Sequence, residues 1–447
     1  MRKYFGTDGI RGVAGENLTA TLSFKTGRAL GKLLTQKNNR PKILIGKDTR
    51  ISCDMIEKSL LSGLTSVGVD VLVVGVIPTP AVAYLTSIMD TDAGIMISAS
   101  HNPYQDNGIK IFGETGYKLT DEEELEIEKY IDDDSEIKDA SYENIGKIYQ
   151  AQELSQKYIQ HIKSVVKNNF SKLKIALDCA NGATINVAPF IFGDLEASIE
   201  TIGCQANGLN INDNVGSTKL NTISNFVKEG NFDLGFAFDG DGDRMLAVDE
   251  KGNVVDGDKI MFIIGKYLNE NNKLKDNMIV STVMSNLGFY KAVSDNNMKS
   301  VKTAVGDRYV VEEMRKNNYS LGGEQSGHVI LTEFATTGDG ILTAVILANI
   351  IVEKNTTLEK LANEVTIYPQ KLVNIKVSDK KEVMEDNDVL LECKKVENDL
   401  KDNGRILLRP SGTENLIRVM VEASSEELTD KYCEQVANII RKKYETK

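Results

Sequence analysis

Short apolar runs, each closed by small or polar residues, recur along the chain from residue 42 onward. Lys42 to Gly46 reads KILIG, Val69 to Val76 reads VDVLVVGV and Gly94 to Ser98 reads GIMIS. Uninterrupted apolar runs of this length predict strands buried on both faces, and such strands need helices above and below them. A helical stretch from Met55 to Val67 supplies one, and Pro78 and Pro80 close the second strand. Strands alternating with helices predict a doubly wound, parallel or mixed sheet.

The pattern restarts twice. LKIALDCANGA begins at Leu173, and FDLGFAFD runs from Phe232 to Asp239. A third set extends from about Gly257 to Tyr368 and includes MIVSTVMSN, YSLGGEQSGH and an apolar helix near Ile341. Past Pro369, LVNIKV and RILLRP read as strands and Glu426 to Lys443 as an amphipathic helix. The expected organisation is α/β with four domains: 1–153, 154–254, 255–368 and a smaller α+β domain at 369–447. The three α/β starts are alike only coarsely, so an internal repeat is suspected. Thr120 with Glu123 predicts a capping box opening DEEELEIEKYIDDD, which is expected to be a solvated surface helix.

Charge and composition remove several classes of function. Lys plus Arg is 53 and Asp plus Glu is 65, a net charge of −12. That balance disfavours general nucleic-acid binding, which needs a basic face. The five cysteines form no C-x-x-C pair and there are only three histidines. A disulfide framework, a structural zinc site and a multi-histidine metal centre are therefore not expected, and a reducing compartment fits. MRKYFGTDGIRG contains no apolar signal core, and the apolar stretch from Ile341 to Val352 is too short to span a bilayer. The expectation is a cytoplasmic protein with no membrane partner.

Four segments concentrate chemistry. Asp239-Gly-Asp241-Gly-Asp243-Arg244 alternates three carboxylates with flexible glycines, a hard-oxygen set suited to Mg²⁺ or Ca²⁺. An EF-hand is disfavoured because Arg244 occupies the position of the turn glycine and the flanks read as strands; a solvated acidic turn is the alternative. Ile97-Ser-Ala-Ser100-His101-Asn102-Pro103 ends a strand where α/β proteins place ligands. Ser100 is a nucleophile or phosphoryl carrier, or a turn or cap serine. Lys110 adds a nearby positive charge. Gly322-Gly-Glu324-Gln-Ser326-Gly-His328 is a small-residue turn with hydrogen-bonding groups, or simply a polar turn before a strand. Arg409-Pro-Ser411-Gly412-Thr413, with Arg418, offers amides, hydroxyls and guanidinium groups to a phosphate, or is a hairpin connection. No Walker A or G-x-G-x-x-G sequence is present, so an NTPase or Rossmann dehydrogenase has no support.

In this order, TDGIRG (Thr7 to Gly12), SASHNP (Ser98 to Pro103), DGDGDR, GEQSGH and RPSGTE resemble the α-D-phosphohexomutase superfamily over essentially the whole chain. SASHNP, GEQSGH and Gly306-Asp-Arg-Tyr-Val310 resemble its bacterial phosphoglucosamine mutase branch. The resemblance implies four domains around a central cleft and a phosphorylated Ser100. It implies one Mg²⁺ per site, bridging that phosphate and Asp239, Asp241 and Asp243. Glu324 and Ser326 would hold sugar hydroxyls. Arg409, Ser411, Gly412, Thr413 and Arg418 would hold the phosphate that is not reacting, and Arg11, His101, Lys110, Arg244 and His328 would surround the transfer.

The implied reaction interconverts glucosamine 6-phosphate and glucosamine 1-phosphate through a sugar bisphosphate. That bisphosphate, or a kinase, would first load Ser100. The implied partners are a phosphosugar, that activator and a second copy of the chain in a homodimer, and the product would feed activated N-acetylglucosamine for the cell wall. Phosphoserine at about −2, three aspartates and Mg²⁺ sum to about −3, which is why basic side chains are needed beside them. The alternatives are phosphoglucomutase or phosphomannomutase activity, a non-catalytic divalent-cation-binding protein, and a hydrolase that discharges the phosphoserine to water.

Overall fold

The computed structural model describes residues 2–411 and 415–446. By internal contact the chain separates into two units. One holds 2–284 and 298–363; the other holds Ser285–Asn297 and residues 364–446.

The first unit contains three sheets. The largest has seven strands in the order Phe5–Gly6, Gly9–Val13, Asp106–Gly113, Ala93–Ile97, Lys42–Lys47, Asp70–Val76 and Ile148–Gln150. Lys42–Lys47 pairs in parallel with both Asp70–Val76 and Ala93–Ile97. Asp106–Gly113 then returns antiparallel beside Ala93–Ile97. Ile43, Leu44, Ile45, Val71, Ile95 and Ile97 are fully buried, as strands covered on both faces require. The second sheet, five-stranded, pairs Lys174–Asp178 in parallel with Ser198–Ile202 and Leu234–Phe238, then turns back antiparallel through Met245–Asp249. The third has four strands, ending in the antiparallel pair Leu321–Gly323 and Val329–Leu331. The expected apolar helix is Gly340–Lys354, whose first twelve residues are buried; Asp339 caps it by accepting from Leu342 N–H at 2.9 Å.

The second unit has a three-stranded antiparallel sheet in the order Gln370–Lys376, Leu416–Ala423, Gly404–Pro410, with helix Glu426–Tyr444 packed on it. Helix Leu287–Asp295 precedes this sheet by many residues in sequence but belongs to its unit. Buried Glu422 accepts both Leu287 N–H and Arg405 Nε at 2.8 Å, which ties the helix to the sheet.

The acidic helix corrects one expectation. Asp121–Asp132 has the capping box, but it is not simply a solvated surface helix. Ile127 and Ile131, four residues apart, are buried. Glu128 turns inward and accepts the backbone N–H groups of Lys3, Tyr4 and Phe5 at 2.5–2.9 Å. A buried carboxylate is stable there because those donors, left over by the first short strand, need an acceptor. No helix among the described residues is long and apolar enough to cross a membrane.

Candidate active site

Three adjacent strands of the large sheet deliver side chains to one edge. Ala93–Ile97 leads into the serine loop, Asp106–Gly113 carries Lys110, and Gly9–Val13 carries Arg11 opposite Gly108. Ser100 is buried and takes a left-handed backbone, φ 55°, which is unfavourable for a residue with a side chain. Neighbours hold it there. Ser100 N–H donates to Ser98 Oγ at 2.9 Å, and its carbonyl accepts Arg50 Nη2 and Asn212 Nδ2, each at 2.9 Å. Fully buried Arg50 also donates to the carbonyls of Asn102 and Asp106 at 2.9 and 3.0 Å and pairs with Asp48 at 2.8 Å. One guanidinium thus fixes the whole turn.

The DGDGDR segment joins the antiparallel strands Leu234–Phe238 and Met245–Asp249. It is a β-hairpin loop, which removes the EF-hand alternative. It is also not a solvated turn, because Asp239 and Asp241 are fully buried and Asp243 is 6% exposed. The serine loop and this loop meet: Ser100 Oγ donates to Asp239 Oδ2 at 2.6 Å. The approach requires glycine at 240, where a Cβ would lie 2.5 Å from the Ser100 carbonyl oxygen. Thr79 fastens the loop further, with its hydroxyl donating to Asp241 Oδ2 at 2.5 Å and its N–H to the Asp241 carbonyl at 2.8 Å.

Charges alternate through the site. Lys110 Nζ lies 2.7, 3.1 and 3.5 Å from Asp241, Asp8 and Asp243. Asp8 also pairs with Lys118 at 2.6 Å, and Lys118 with Asp307 at 2.6 Å. His328 lies between Asp243 and Asp307, at 3.7 and 3.8 Å. Gly338 N–H donates to its Nε2 at 3.1 Å, which puts the ring proton on Nδ1, toward Asp243. Burial opposes charge on Lys110, but Asp241, Asp8 and Asp243 outweigh it and hold the ammonium well above its ordinary range. Burial, then Asp243 and Asp241, pushes Asp239 well above the usual carboxylate range. Burial raises Asp243 as well, yet Lys110 and His328 hold it well below. Burial, Arg244 and Arg11 lower His101 to about 4, so its ring is neutral at neutral pH. His101 Nδ1 sits 3.3 Å from Ser100 Oγ and accepts from Arg244 Nη1 at 3.2 Å.

The residues suit a hard dication. Asp239, Asp241 and Asp243 each offer an oxygen, and these atoms lie within 4.8 Å of one another. Buried Asp241 Oδ1 and Asp243 Oδ1 have no hydrogen-bond partner among the described residues. Beside them, the buried guanidinium nitrogens Arg11 Nε and Arg244 Nε also lack an acceptor. Unmatched acceptors next to unmatched donors fit a metal-bridged anion, which supplies positive charge to the first and oxygens to the second.

Glu324 and Ser326 lie in the turn between Leu321–Gly323 and Val329–Leu331. Glu324 Oε1 accepts Gly306 N–H at 3.2 Å, and Ser326 is exposed. This turn is stitched to the acidic hairpin through Met245 N–H to the Gly327 carbonyl at 3.1 Å. Ser100, His101, Lys110, Arg11, Arg244, His328 and the three aspartates therefore come together in the first unit, with Glu324 at their edge. In the second unit, Arg409 and Arg418 face each other across paired strands, and Ser411, whose carbonyl accepts Lys380 Nζ at 2.8 Å, follows them. Gly412 and Thr413 lie outside the described residues.

Sequence reasoning passed over Asp8, Asp48, Arg50, Thr79, Lys118, Asn212 and Asp307. Asp8 and Asp307 sit inside motifs already recognised, TDGIRG and GDRYV. Arg50 and Thr79 follow the ends of parallel strands Lys42–Lys47 and Asp70–Val76, a position that itself signals a site. Nothing local marks Lys118 or Asn212.

Comparison with known proteins follows the same order along the chain. The sequence matches phosphoglucomutase/phosphomannomutase alpha/beta/alpha domains I, II and III over residues 2–138, 156–252 and 256–368, and the C-terminal domain over 372–439. It is 55% identical over 445 residues to the phosphoglucosamine mutase of Anoxybacillus flavithermus, covering 99% of this chain and 100% of that one. The Bacillus cereus phosphoglucosamine mutase is likewise 55% identical over 442 residues, 99% of both chains. A phosphoglucomutase/phosphomannomutase family protein from Burkholderia thailandensis shares the fold with a TM-score of 0.82 at 22% identity, over 99% and 98% of the two chains. The Aspergillus fumigatus N-acetylphosphoglucosamine mutase, solved with GlcNAc-6P and magnesium, has a TM-score of 0.70 at 17% identity, over 98% and 96%.

Proposed function

The chain belongs to the phosphoglucomutase/phosphomannomutase family, and from that premise we propose that it interconverts glucosamine 6-phosphate and glucosamine 1-phosphate with Ser100 as the phosphoryl carrier. The name borne by relatives 55% identical over nearly the full length supports the amino sugar. The observation that carries the chemistry is Ser100 Oγ, 2.6 Å from Asp239, flanked by carboxylate oxygens without donors and guanidinium nitrogens without acceptors.

In the first half-reaction the phosphoryl group leaves Ser100 Oγ and bonds to the free sugar hydroxyl, giving a sugar bisphosphate. The bisphosphate then presents its other phosphate, which returns to Ser100. Asp239, Asp241 and Asp243, with the Ser100 phosphate, would hold Mg²⁺. That ion, when bound, supplies positive charge against the phosphoryl oxygens. Arg11 Nε and Arg244 Nε, which have no acceptor of their own, would donate to the same oxygens, and Lys110 holds Asp241 and Asp243 in place as a permanent cation. His101 adjoins Ser100 Oγ and His328 adjoins Asp243. Glu324 and Ser326 take sugar hydroxyls. Arg409, Ser411, Gly412, Thr413 and Arg418 take the phosphate that is not reacting. A sugar bisphosphate or a kinase loads Ser100 for the first turnover.

A coupled assay with glucosamine, glucose and mannose phosphates tests this, together with mass spectrometry of the native protein. Glucosamine phosphate should turn over best, and phosphate should be found on Ser100. Faster turnover of glucose or mannose phosphate would reassign the substrate. Phosphate on another residue would remove Ser100 as carrier.

A further inference from the structure

The five cysteines are scattered in sequence, yet the fold brings two of them together. Cys179 follows strand Lys174–Asp178, and Cys204 lies just beyond its parallel neighbour Ser198–Ile202. Three hydrogen bonds fasten the segments: Cys179 N–H to the Ile202 carbonyl at 3.1 Å, Asn181 N–H to the Gly203 carbonyl at 2.6 Å, and Gln205 N–H to Asn181 Oδ1 at 2.9 Å. Asp178 pairs with Ile202, so a regular strand would turn Cys204 to the face opposite Cys179. Gly203 breaks that alternation with φ 61°, and a Cβ there would lie 2.6 Å from Asp178 Oδ1. The turn brings Cys204 back beside Cys179, near enough for each thiol to shift the other's ionisation.

The members of the pair differ. Cys179 is fully buried, whereas Cys204 is partly open to solvent. The neighbouring Cys179 outweighs burial and brings the Cys204 thiol down to about 7; Cys204, followed by burial, pushes the Cys179 thiol up. An accessible, acidic thiol backed by a buried partner is the arrangement of an attacking and a resolving cysteine.

We propose that Cys179 and Cys204 form an oxidisable dithiol that closes to a disulfide by exchange with a low-molecular-weight disulfide, RSSR. The Cys204 thiolate attacks one sulfur of RSSR, forming a mixed disulfide and releasing RS⁻. Cys179 then loses its proton and attacks the Cys204 sulfur, expelling the second RS⁻. Two protein thiols become one disulfide, and RSSR is reduced to two RSH.

The bond forms at the root of a turn on which the active site rests. Ala180 and Asn181 are both left-handed, at φ 54° and 49°. The Asn181 carbonyl accepts the Thr49 hydroxyl at 2.5 Å, and the Ala180 carbonyl accepts Asn212 N–H at 2.9 Å. Ala183 N–H donates to the Gly240 carbonyl at 2.8 Å, inside the acidic hairpin loop. Closing the disulfide shifts this turn and, through it, the 239–244 loop.

The test treats the full-length protein with oxidised glutathione, then alkylates and digests it. The expected result is a loss of about 2 Da and a linked Cys179–Cys204 peptide, both reversed by dithiothreitol, with Cys53, Cys393 and Cys433 still alkylatable. Amide hydrogen exchange across 180–183 and 239–244 should change at least twofold on oxidation. Cys204→Ala, a change at a partly exposed position, should abolish both effects. Glutathione left on Cys204 with no link to Cys179 would overturn the dithiol. A linked peptide with unaltered exchange at 239–244 would overturn its coupling to the active site. Neither readout depends on which sugar phosphate is the substrate.

Discussion

The acidic hairpin and the C-terminal arginine pair handle charge in opposite ways. In the first, Asp8, Asp241, Asp243 and Asp307 are interleaved with Lys110 and Lys118 at 2.6–3.5 Å. In the second, Arg409 stands directly across from Arg418; burial and that neighbouring cation both lower the Arg409 guanidinium from its ordinary range. A centre that must stabilise charge moving between atoms gains from dipoles and ions fixed before substrate arrives. A subsite that only holds a phosphate can leave like charges facing each other, because the ligand relieves the repulsion when it binds. The two regions should therefore respond to substitution with opposite signs of stability.

Ser100→Ala tests the first region most severely. Turnover should fall on the order of 10⁴-fold, because no carrier oxygen remains, while the melting temperature stays near that of the wild type. A residual rate above a tenth would show that the serine is only a turn residue. Arg50→Ala follows in size. Removing it leaves Asp48 buried without its partner and strands the Ser100, Asn102 and Asp106 carbonyls. The expected loss is about 3–5 kcal/mol in denaturant unfolding. A loss under 1 kcal/mol would mean that the serine loop holds its left-handed residue unaided.

Metal removal probes the same region with less force. Mg²⁺ at a hundredfold excess over its Kd should stabilise the protein by about 2.7 kcal/mol relative to chelator, read as a rise in melting temperature. Asp241→Asn should abolish that rise. A variant that still responds fully to Mg²⁺ would place the ion elsewhere.

How far the sequence announced these features depends on how local each one is. The strands at Lys42–Lys47 and Ala93–Ile97 were legible because a strand buried on both faces must be apolar throughout. Ser100 and the three aspartates stood out because their candidate chemistry sits in a few consecutive residues, and the structure brings those segments together. Arg50 was not: its backbone acceptors, the carbonyls of Ser100, Asn102, Pro103 and Asp106, lie 50 to 56 residues away, and nothing in DTRIS reveals them. The acidic helix misled for a related reason. Charge density predicts exposure, but Glu128 serves backbone donors more than 120 residues away in sequence. The meeting of Cys179 with Cys204 depends on the left-handed turn at Gly203, which a glycine permits but does not announce.

Arg409→Gln gives the smallest energetic change and the sharpest reading of the contrast. Its cross-strand partner is a like charge, so neutralising it should leave stability unchanged or raise it by a few tenths of a kcal/mol. The shortened, uncharged side chain loses a charge-assisted hydrogen bond to phosphate, so KM should rise about tenfold with either glucosamine phosphate. In the proposed reaction a single cradle serves the phosphate at either end of the sugar, so the shift should appear in both directions. A KM effect in one direction only would separate the cradle into two sites. A loss of more than 1 kcal/mol on unfolding would make Arg409 a structural residue, and the two regions would then no longer differ in the way their charges imply.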